Sequence, residues 1–423
     1  MKILHTADWH LGHTLNSRSR VYEHKCFLNF LKDTIATEKP DVLIISGDIF
    51  DTAAPSSDAL SQYFNFVSSL KENLSWSMQI VVIAGNHDSA ARLNVFGILL
   101  KYINVKVIGK LPLLDNCRPD YDSLMFPVER NGQVEGVIAA VPFIRGADLP
   151  VEYVNARTPE NSDQYVEGYR LIYQELLSNI RRKYGENVPV IATGHTFVTS
   201  ALVSESSEVP IFCGNQQSVP QNIFDGYDYV ALGHLHRPQA LGADGRIVYA
   251  GSPFPLDFAE KNYRNRLMVI ENDQNKKLIW REIRIPRFVR FVEVPESGSD
   301  TLDEVLKQLS QLPDPGVVDP EQYPYLAIHV LIDKPPYNLI GTIDQKLENA
   351  HYRKIKISID DAKKYADDSN EFYHKDVREM TLDDAFRAFF KLRSPDHGEP
   401  TAEDMMVYHE IVDNCRSQMK END

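Results

Sequence analysis

The sequence of 423 residues has no long apolar run and only four cysteines. Its longest apolar runs, such as Val42–Ile45 and Ile80–Ala84, are far shorter than the roughly 20 residues of a membrane-spanning helix. The opening Met1–His5 leads directly into charged residues, without the apolar stretch of a signal peptide. The cysteines are widely separated and form no Cys-x-x-Cys pair, which argues against a disulfide framework and a zinc knuckle. These absences predict a cytoplasmic protein, and the length of 423 residues predicts two or three domains.

A nucleotide-binding P-loop is also missing from the sequence. The pattern Gly-x-x-x-x-Gly-Lys-Ser/Thr does not occur, and Gly109-Lys110 is followed by Leu111. That loop binds ATP phosphates through its backbone amides. Any dependence on ATP must therefore come from a different polypeptide.

Positive charge is scarce: 45 Lys and Arg residues stand against 60 Asp and Glu residues, a net charge of −15. A strongly acidic chain at first disfavours a nucleic-acid partner. The excess is uneven, however, because residues 1–285 carry a net charge of −4 and residues 286–423 carry −11. The larger N-terminal part is close to neutral, so the total charge does not exclude DNA as its substrate.

Short apolar strands alternate with amphipathic helices in residues 1–285. The predicted helices include Val21–Thr37 and Ser56–Leu74. The predicted strands are rich in Val and Ile, as strands buried on both faces are. They are Ile3–Thr6, Val42–Ser46, Ile80–Ala84, Val137–Pro142, Val190–Thr193 and Tyr229–Leu232. This alternation predicts a layered α/β domain.

Two further regions follow this domain. Residues 286–368 contain strand and helix patterns that predict a small α+β module, for example the strand Tyr325–Ile332. Residues 369–423 contain two short amphipathic helices, which begin at Thr381 and Thr401. These helices either fold back on the chain or bind a partner protein. The predicted partner-binding anchors are Phe386, Phe389 and Phe390.

Polar residues that can bind metal ions follow five of the predicted strands. They lie in the segments Asp8-Trp9-His10, Gly47-Asp48, Gly85-Asn86-His87-Asp88, Gly194-His195 and Gly233-His234-Leu235-His236. In an α/β sheet, ligands bind beyond the carboxyl ends of the strands, so these residues should converge at one edge. Taken singly, each segment is more often structural than functional. Five of them in this order, each after an apolar strand, predict one shared site.

The donor atoms in these segments are carboxylates, an amide and imidazoles, without sulfur. That mixture suits Mn, Fe or Zn better than Ca. Seven or more donors are too many for one ion, whereas two ions about 3.5–4 Å apart, sharing a bridging carboxylate, would use them all. Such a pair clamps a phosphate ester and activates a water for in-line attack on phosphorus.

These segments resemble the signature of the calcineurin-like metallophosphoesterases. Within that superfamily, Met1–Gly12, Gly47–Thr52, Ala84–Ser89 and Gly251–Leu256 are similar to the SbcD nuclease subunits of bacterial SbcCD complexes. The resemblance implies a four-layer α/β sandwich (residues 1–285), an α+β capping domain (286–368) and C-terminal helices that bind an ATPase (369–423).

The resemblance also implies a role for each residue. Asp8, His10, Asp48 and His236 would hold one metal ion. The other ion would be held by Asp48 as the bridge, with Asn86, His195 and His234. His87 would face the scissile phosphate, and Asp88 would orient His87. Asp51 stands where archaeal and eukaryotic relatives have a histidine, which leaves its role open.

The activity implied by the resemblance is that of a manganese-dependent DNA nuclease in repair, recombination and replication. It includes double-strand exonuclease and hairpin-opening or single-strand endonuclease activity, with an SbcC-type ATPase that carries coiled coils. The resemblance further implies a homodimer within a heterotetramer. The two segments that we consider for a helical dimer interface are Pro55–Leu74 and Arg92–Tyr102. Two alternatives stay open: a small-molecule phosphodiesterase or phosphatase of the same superfamily, and a non-catalytic subunit that binds DNA ends.

Overall fold

The computed structural model describes most of the chain. The described residues are 1–73, 76–150, 153, 164–202, 218–273, 277–332, 338–361, 386, 390, 400–401, 404–405 and 408. Among them, no helix is both long enough and apolar enough to cross a membrane.

Fourteen strands and four α-helices are described in residues 1–285. The strands are β1 (Lys2–Thr6), β2 (Thr14–Leu15), β3 (Arg18–Ser19), β4 (Val42–Ser46), β5 (Gln79–Ile83), β6 (Val105–Ile108), β7 (Met125–Arg130), β8 (Gln133–Ala140), β9 (Val190–His195), β10 (Tyr229–Gly233), β11 (Gln239–Leu241), β12 (Ile247–Tyr249), β13 (Arg266–Asn272) and β14 (Leu278–Arg284). The helices are α1 (Val21–Glu38), α2 (Ser57–Asn73), α3 (Ala90–Leu100) and α4 (Gln164–Tyr184). All six predicted strands and both predicted helices are present, with ends that differ from the prediction by a few residues.

Twelve of these strands form two six-stranded sheets. The first sheet has the order β14-β13-β1-β4-β5-β6, and its strands β1, β4, β5 and β6 are parallel. The second has the order β11-β12-β10-β9-β8-β7, and β12, β10, β9 and β8 are parallel. Parallel strands place their carboxyl ends at the same edge of a sheet, so each sheet presents one edge of loops that follow strands.

The sheets pack face to face, with helices on their outer sides. Ile3 and Ile44 of the first sheet share a buried apolar cluster with Ile138 and Ala231 of the second. The other face of the first sheet packs on α1 and α2, and the other face of the second sheet packs on α4. This helix–sheet–sheet–helix arrangement confirms the predicted four-layer α/β sandwich.

A smaller four-stranded sheet follows the sandwich in the chain. Its strands are β15 (Phe291–Val294), β16 (Asp300–Thr301), β17 (Tyr325–Ile332) and β18 (Arg353–Asp361), accompanied by the helices α5 (Leu302–Ser310) and α6 (Leu339–Leu347). β15 and β17 are parallel, with Phe291 opposite Tyr325. We call β15–β18 the capping sheet.

The chain divides into two compact units. One comprises Met1–His329 and Ile340–Ser358, and the other comprises Val330–Leu339 and Ile359–Asp423. In the second unit, Phe386 stacks on Tyr408 with ring centroids 4.1 Å apart. Phe389, the predicted boundary residue Asp368 and most of the two predicted tail helices lie outside the described residues. The domain boundaries at residues 285 and 368 stay a prediction.

Candidate metal centre and active site

The predicted site residues follow the carboxyl ends of five parallel strands. Asp8 and His10 follow β1, Asp48 follows β4, and Asn86, His87 and Asp88 follow β5 in the first sheet. In the second sheet, His195 ends β9, and His234 and His236 follow β10. A hydrogen bond of 2.8 Å between the hydroxyls of Ser46 on β4 and Thr193 on β9 joins the two sheets next to the site. The predicted convergence on one edge is therefore present.

Four of the predicted ligands have a left-handed backbone conformation. Asp8, His10, Asp48 and His234 have φ values of 53°, 46°, 48° and 100°. Residues other than glycine rarely adopt such angles, at a cost of order 1–3 kcal/mol each, and such strain concentrates at functional sites. These backbone angles therefore mark this edge of the sheets as a candidate functional site.

Glycines allow this close approach. A Cβ atom on Gly85 would overlap the Asp48 carboxylate, and one on Gly47 would overlap the His195 ring. Gly47 also has a φ of +88°, which L side chains rarely adopt. Gly47 therefore precedes Asp48 in the sequence but leaves space for His195, and Gly85 precedes Asn86 but leaves space for Asp48.

The resemblance assigns the predicted ligands to two donor sets: Asp8, His10, Asp48 and His236 to the first, and Asp48, Asn86, His195 and His234 to the second. Nε2 of His10 lies 3.2 Å from Nε2 of His236 and 3.7 Å from Oδ2 of Asp48. All four side chains of the first set are buried. Oδ2 of Asp8 is buried without a hydrogen-bond partner among the described residues, although an unpaired buried oxygen is costly.

The second donor set consists of Asp48, Asn86, His195 and His234. Oδ1 of Asn86 lies 2.8 Å from Nε2 of His195 and 2.9 Å from Nδ1 of His234. Oδ2 of Asp48, which belongs to the first set, is also 3.2 Å from Nε2 of His195. One carboxylate oxygen thus lies between the two sets, as a bridging ligand would.

Acceptors behind the imidazoles orient three of them toward the site. Nδ1 of His195 donates to the Ser46 carbonyl oxygen at 2.8 Å, and Nδ1 of His236 donates to Glu260 Oε1 at 2.9 Å. Nδ1 of His10 lies 3.3 Å from Asp51 Oδ1. A neutral imidazole that donates from Nδ1 keeps its lone pair on Nε2. In their neutral form, these imidazoles would direct their Nε2 lone pairs inward beside carboxylates, which is an arrangement suited to divalent cations.

Comparison with known proteins identifies the family of the chain. The calcineurin-like phosphoesterase family matches residues 1–238, more than half of the chain. The SbcD subunit of the SbcCD nuclease of Rhodobacter capsulatus is 34% identical over 363 residues, which cover 85% of this chain and 87% of that protein. The chain belongs to the SbcD family of calcineurin-like phosphoesterases.

Other similarities extend the comparison. The SbcD subunit of the SbcCD nuclease of Escherichia coli K12 is 34% identical over 261 residues, which cover 62% of each chain. Residues 287–394 of this SbcD-family chain match the type 5 capsule protein repressor C-terminal domain, SbcD_C. A dimetal phosphatase from Danio rerio aligns with 68% of this chain and 96% of its own, at 11% identity and a TM-score of 0.39. As a member of its family, the chain is a metal-dependent phosphodiester hydrolase, and the family implies divalent cations.

The electrostatics of this phosphoesterase site favour bound positive charge. Burial raises the pKa of Asp8 to about 6. Burial would lower the pKa of His195, but the Asp48 and Asp8 carboxylates raise it to about 9. Burial lowers the pKa of His10 to about 4 and that of His234 to about 3, so both imidazoles are neutral at pH 7, the form that binds metals.

His87 differs from the seven predicted ligands because its side chain is exposed. Its Nδ1 donates to the Asp51 carbonyl oxygen at 2.8 Å, and its ring centroid is 4.8 Å from that of His10. One of its nitrogens also lies within 4.8 Å of donor atoms of His10 and Asp48. The exposure of its ring distinguishes His87 from the seven buried or half-buried ligands, and its expected role outside the ligand set stays a prediction.

Asp88 is buried, and its carboxylate accepts three backbone hydrogen bonds. The donors are the amides of Ile49 at 3.2 Å, Phe50 at 3.1 Å and Gly85 at 2.9 Å. These bonds fix the loops after β4 and β5 to each other. We predicted that Asp88 orients the His87 ring, but the carbonyl oxygen of Asp51 makes that contact. Asp88 instead holds the loop that carries His87, through the Gly85 amide.

Sequence reasoning missed the residues behind the ligands. Asp51, whose role was open, contacts His10 and also lies 3.0 Å from Nδ1 of His13. Glu260 is fully buried beside His236, although 24 residues separate them. A local signal existed for Asp51, three residues after Asp48, whereas none pointed to Glu260.

Proposed function

We propose that this chain is the nuclease subunit of an SbcCD-type complex and hydrolyses DNA phosphodiesters. The proposed activities are double-strand exonuclease and hairpin-opening or single-strand endonuclease activity. The observation that carries the proposal is the pair of donor sets that share Oδ2 of Asp48. The 34% identity to the SbcD subunit of the Rhodobacter capsulatus nuclease supports the choice of DNA over other phosphodiesters.

Seven residues would hold the cations. The first donor set would hold one ion and the second donor set the other, with Asp48 as the bridge. Bound divalent cations would neutralise charge on the phosphodiester and lower the pKa of water. Imidazole, carboxylate and amide donors suit manganese, which we propose as the metal, with Mg²⁺ or other ions as alternatives.

His87 would act on the leaving oxygen of the DNA strand. Because Nδ1 of His87 donates to the Asp51 carbonyl oxygen, Nε2 is directed away from that loop and toward substrate. A proton on Nε2 could pass to the leaving oxygen or stabilise the charge that develops on it. Asp88 would hold the loop that carries His87 in position beside Asp48, because its carboxylate accepts a hydrogen bond from the Gly85 amide.

Local positive charge at the rim of the site offsets the acidic composition. The exposed guanidinium of Arg145 reaches to 3.5 Å from the carbonyl oxygen of the ligand Asn86. Exposed Arg237 directly follows the ligand His236 and lies over the Tyr263 ring. Together with bound cations, these arginines would attract the DNA backbone despite the net charge of −15.

Substrate tests separate the nuclease from a small-molecule phosphodiesterase. The full chain, alone and with its ATPase partner, is incubated with Mn²⁺ and either a hairpin DNA or a cyclic dinucleotide. We expect cleavage of the hairpin. Cleavage of only the cyclic dinucleotide would refute the nuclease proposal, and DNA binding without any cleavage would favour the non-catalytic alternative.

An SbcC-type ATPase is the proposed partner, and the C-terminal helices are the proposed docking element. Phe386 and Phe390 are both half-buried, with ring centroids 5.9 Å apart, so they form one aromatic group with Tyr408. That group could anchor the helix pair or dock on the partner. We also propose a cytoplasmic location, with association to the nucleoid when the protein is on DNA.

Self-association is proposed through α3. Four large apolar side chains on or just after this helix are strongly exposed: Val95, Ile98, Leu99 and Tyr102. Contiguous exposed apolar groups of this kind mark protein interfaces. The patch lies within the predicted segment Arg92–Tyr102 and would form a homodimer within a heterotetramer.

A further inference from the structure

A buried ion pair lies at the start of α1, between the sandwich and the capping sheet. Nη2 of Arg20 donates to Glu23 Oε1 at 2.6 Å, and Nε donates to Oε2 at 2.7 Å. Both side chains are about 1% exposed. Burying two charges costs several kcal/mol per ion before pairing, so such a pair is weak evidence for stability. Its remaining contacts indicate a positioning role instead.

On one side the pair contacts the capping sheet. The hydroxyl of Tyr325 on β17 donates to Glu23 Oε2 at 2.6 Å, and the Arg20 guanidinium lies 5.5 Å from the Tyr325 ring centroid. The same guanidinium is 5.7 Å from the ring centroid of Phe291 on β15. The Tyr325 ring is in turn covered by Arg353 of β18 at 4.2 Å. Three capping-sheet strands thus converge on this contact.

On the other side the pair reaches the segment that supports His236. Nη1 of Arg20 donates to the Pro255 carbonyl oxygen at 2.6 Å. The next amide, that of Leu256, donates to Glu260 Oε2 at 2.7 Å, and Glu260 Oε1 accepts from Nδ1 of His236 at 2.9 Å. Hydrogen bonds and the peptide link between Pro255 and Leu256 therefore connect Tyr325 to a predicted metal ligand.

The same turn of α1 also supports the other imidazole of the first donor set. Nε2 of His24 lies 2.9 Å from the carbonyl oxygen of His10. The His24 ring packs edge-on against Phe254, at 5.1 Å between centroids, and Arg20 covers that same phenylalanine at 4.7 Å. Both histidines of the first donor set are thus braced by the turn that carries the ion pair, whereas His195 of the second set is braced by β4 through Ser46.

We propose that Arg20, Glu23 and Tyr325 are positioning residues for the first donor set, through which the capping sheet fixes the orientation of His236. The proposal rests on the proposed metal centre. It predicts that a change in the capping sheet weakens the binding of one of the two cations. Binding of the other cation should be unchanged, because the second donor set has its own support.

The test uses Tyr325→Phe, which removes one hydroxyl and keeps the ring beside Arg20. Mn²⁺ is titrated into the metal-free full chain, and electron paramagnetic resonance follows free Mn²⁺ and the spin-coupled pair. Loss of an outer-shell partner typically costs 10- to 100-fold in metal affinity. We expect the dissociation constant of one ion to rise about tenfold, with loss of the coupled signal at limiting Mn²⁺. Glu260→Gln should weaken the binding of the same ion at least as much.

Tyr227→Phe is the matched control. Its hydroxyl is also buried and donates to a carbonyl oxygen, that of Tyr173, at 2.7 Å, beneath α4. This variant should bind both ions as the wild type does, whatever stability it loses. Unchanged binding of both ions by Tyr325→Phe, or an equal loss of Mn²⁺ affinity in Tyr227→Phe, would overturn this inference and leave the proposed metal centre in place. A wild-type chain that takes up no Mn²⁺ pair would overturn the metal centre and the inference together.

Discussion

Asp8→Asn should stabilise the metal-free protein and reduce the stabilisation that Mn²⁺ provides. The carboxylate is fully buried, and its Oδ2 has no hydrogen-bond partner among the described residues. Burial raises the pKa of Asp8 from 3.8 to about 6. The asparagine is nearly isosteric, and its Oδ1 can still accept the hydrogen bond of 2.8 Å from the amide of His234.

The pH dependence follows from the direction of this shift. The folded state binds the Asp8 proton more tightly than the unfolded state does, so ionisation destabilises the fold. The penalty is absent below pH 3.8, grows between pH 3.8 and 6, and is fully present above pH 6. The difference between the two pKa values corresponds to about 3 kcal/mol. Because His195 loses one of its two carboxylate neighbours in the variant, we expect a net gain of about 1–3 kcal/mol at pH 7.5.

The assay is urea unfolding of wild-type and variant chains after treatment with a chelator, repeated from pH 4 to pH 8 and then with Mn²⁺. Without metal, the variant should be more stable above pH 6, and the gain should fade toward pH 4. With saturating Mn²⁺ the order should reverse, since the wild type is stabilised by both ions and the variant only by the ion of the second donor set. Asp33→Asn, on the exposed side of α1, is the control and should change neither curve. A metal-free variant that is no more stable than the wild type at pH 8 would refute the reasoning.

Three further predictions concern other parts of the chain. His87→Ala should retain both cations by metal analysis and lose roughly 10²- to 10⁴-fold in hydrolysis, and cleavage at the native rate would disprove the acid role. Gly85→Ala places a methyl group on the Asp48 carboxylate, so it should lower unfolding free energy by about 1–3 kcal/mol and weaken Mn²⁺ binding, as calorimetry would show. Truncation after Asp368 should spare Mn²⁺ binding and abolish co-purification with the ATPase, and a truncated chain that still co-purifies would contradict the docking proposal.

The apolar strands and their polar ends were readable because both signals are local. Val42–Ser46 is a run of buried residues whose last member leads directly to Gly47 and Asp48. Such a run needs burial on both faces, which implies helices or a second sheet on each side. The same reasoning missed β7, where Pro127 weakens the pattern in an edge strand. It also left α4 unassigned, because a polar segment precedes the helix.

The residues that complete the site were not readable in this way. Glu260 carries no local pattern, and it becomes meaningful only because a short 3₁₀ turn places its carboxylate behind His236. From the sequence, Arg20 resembles an ordinary solvent-exposed cation before α1. In the structure it is buried among aromatic rings. The fold also changed the expected role of Asp88, whose three backbone donors come from two different loops.

The sequence by itself determined which residues can bind metal and that they lie at the ends of parallel strands. That much depends on residue type, hydrophobic runs and the fixed direction of parallel strands, all of which are properties of short segments. The family resemblance implied the division of the donors into two sets, and only the tertiary structure showed that Oδ2 of Asp48 lies between them, because that position depends on two sheets meeting at Ser46 and Thr193. It also decided which buried charges support which ligand, since those contacts join residues up to 302 positions apart.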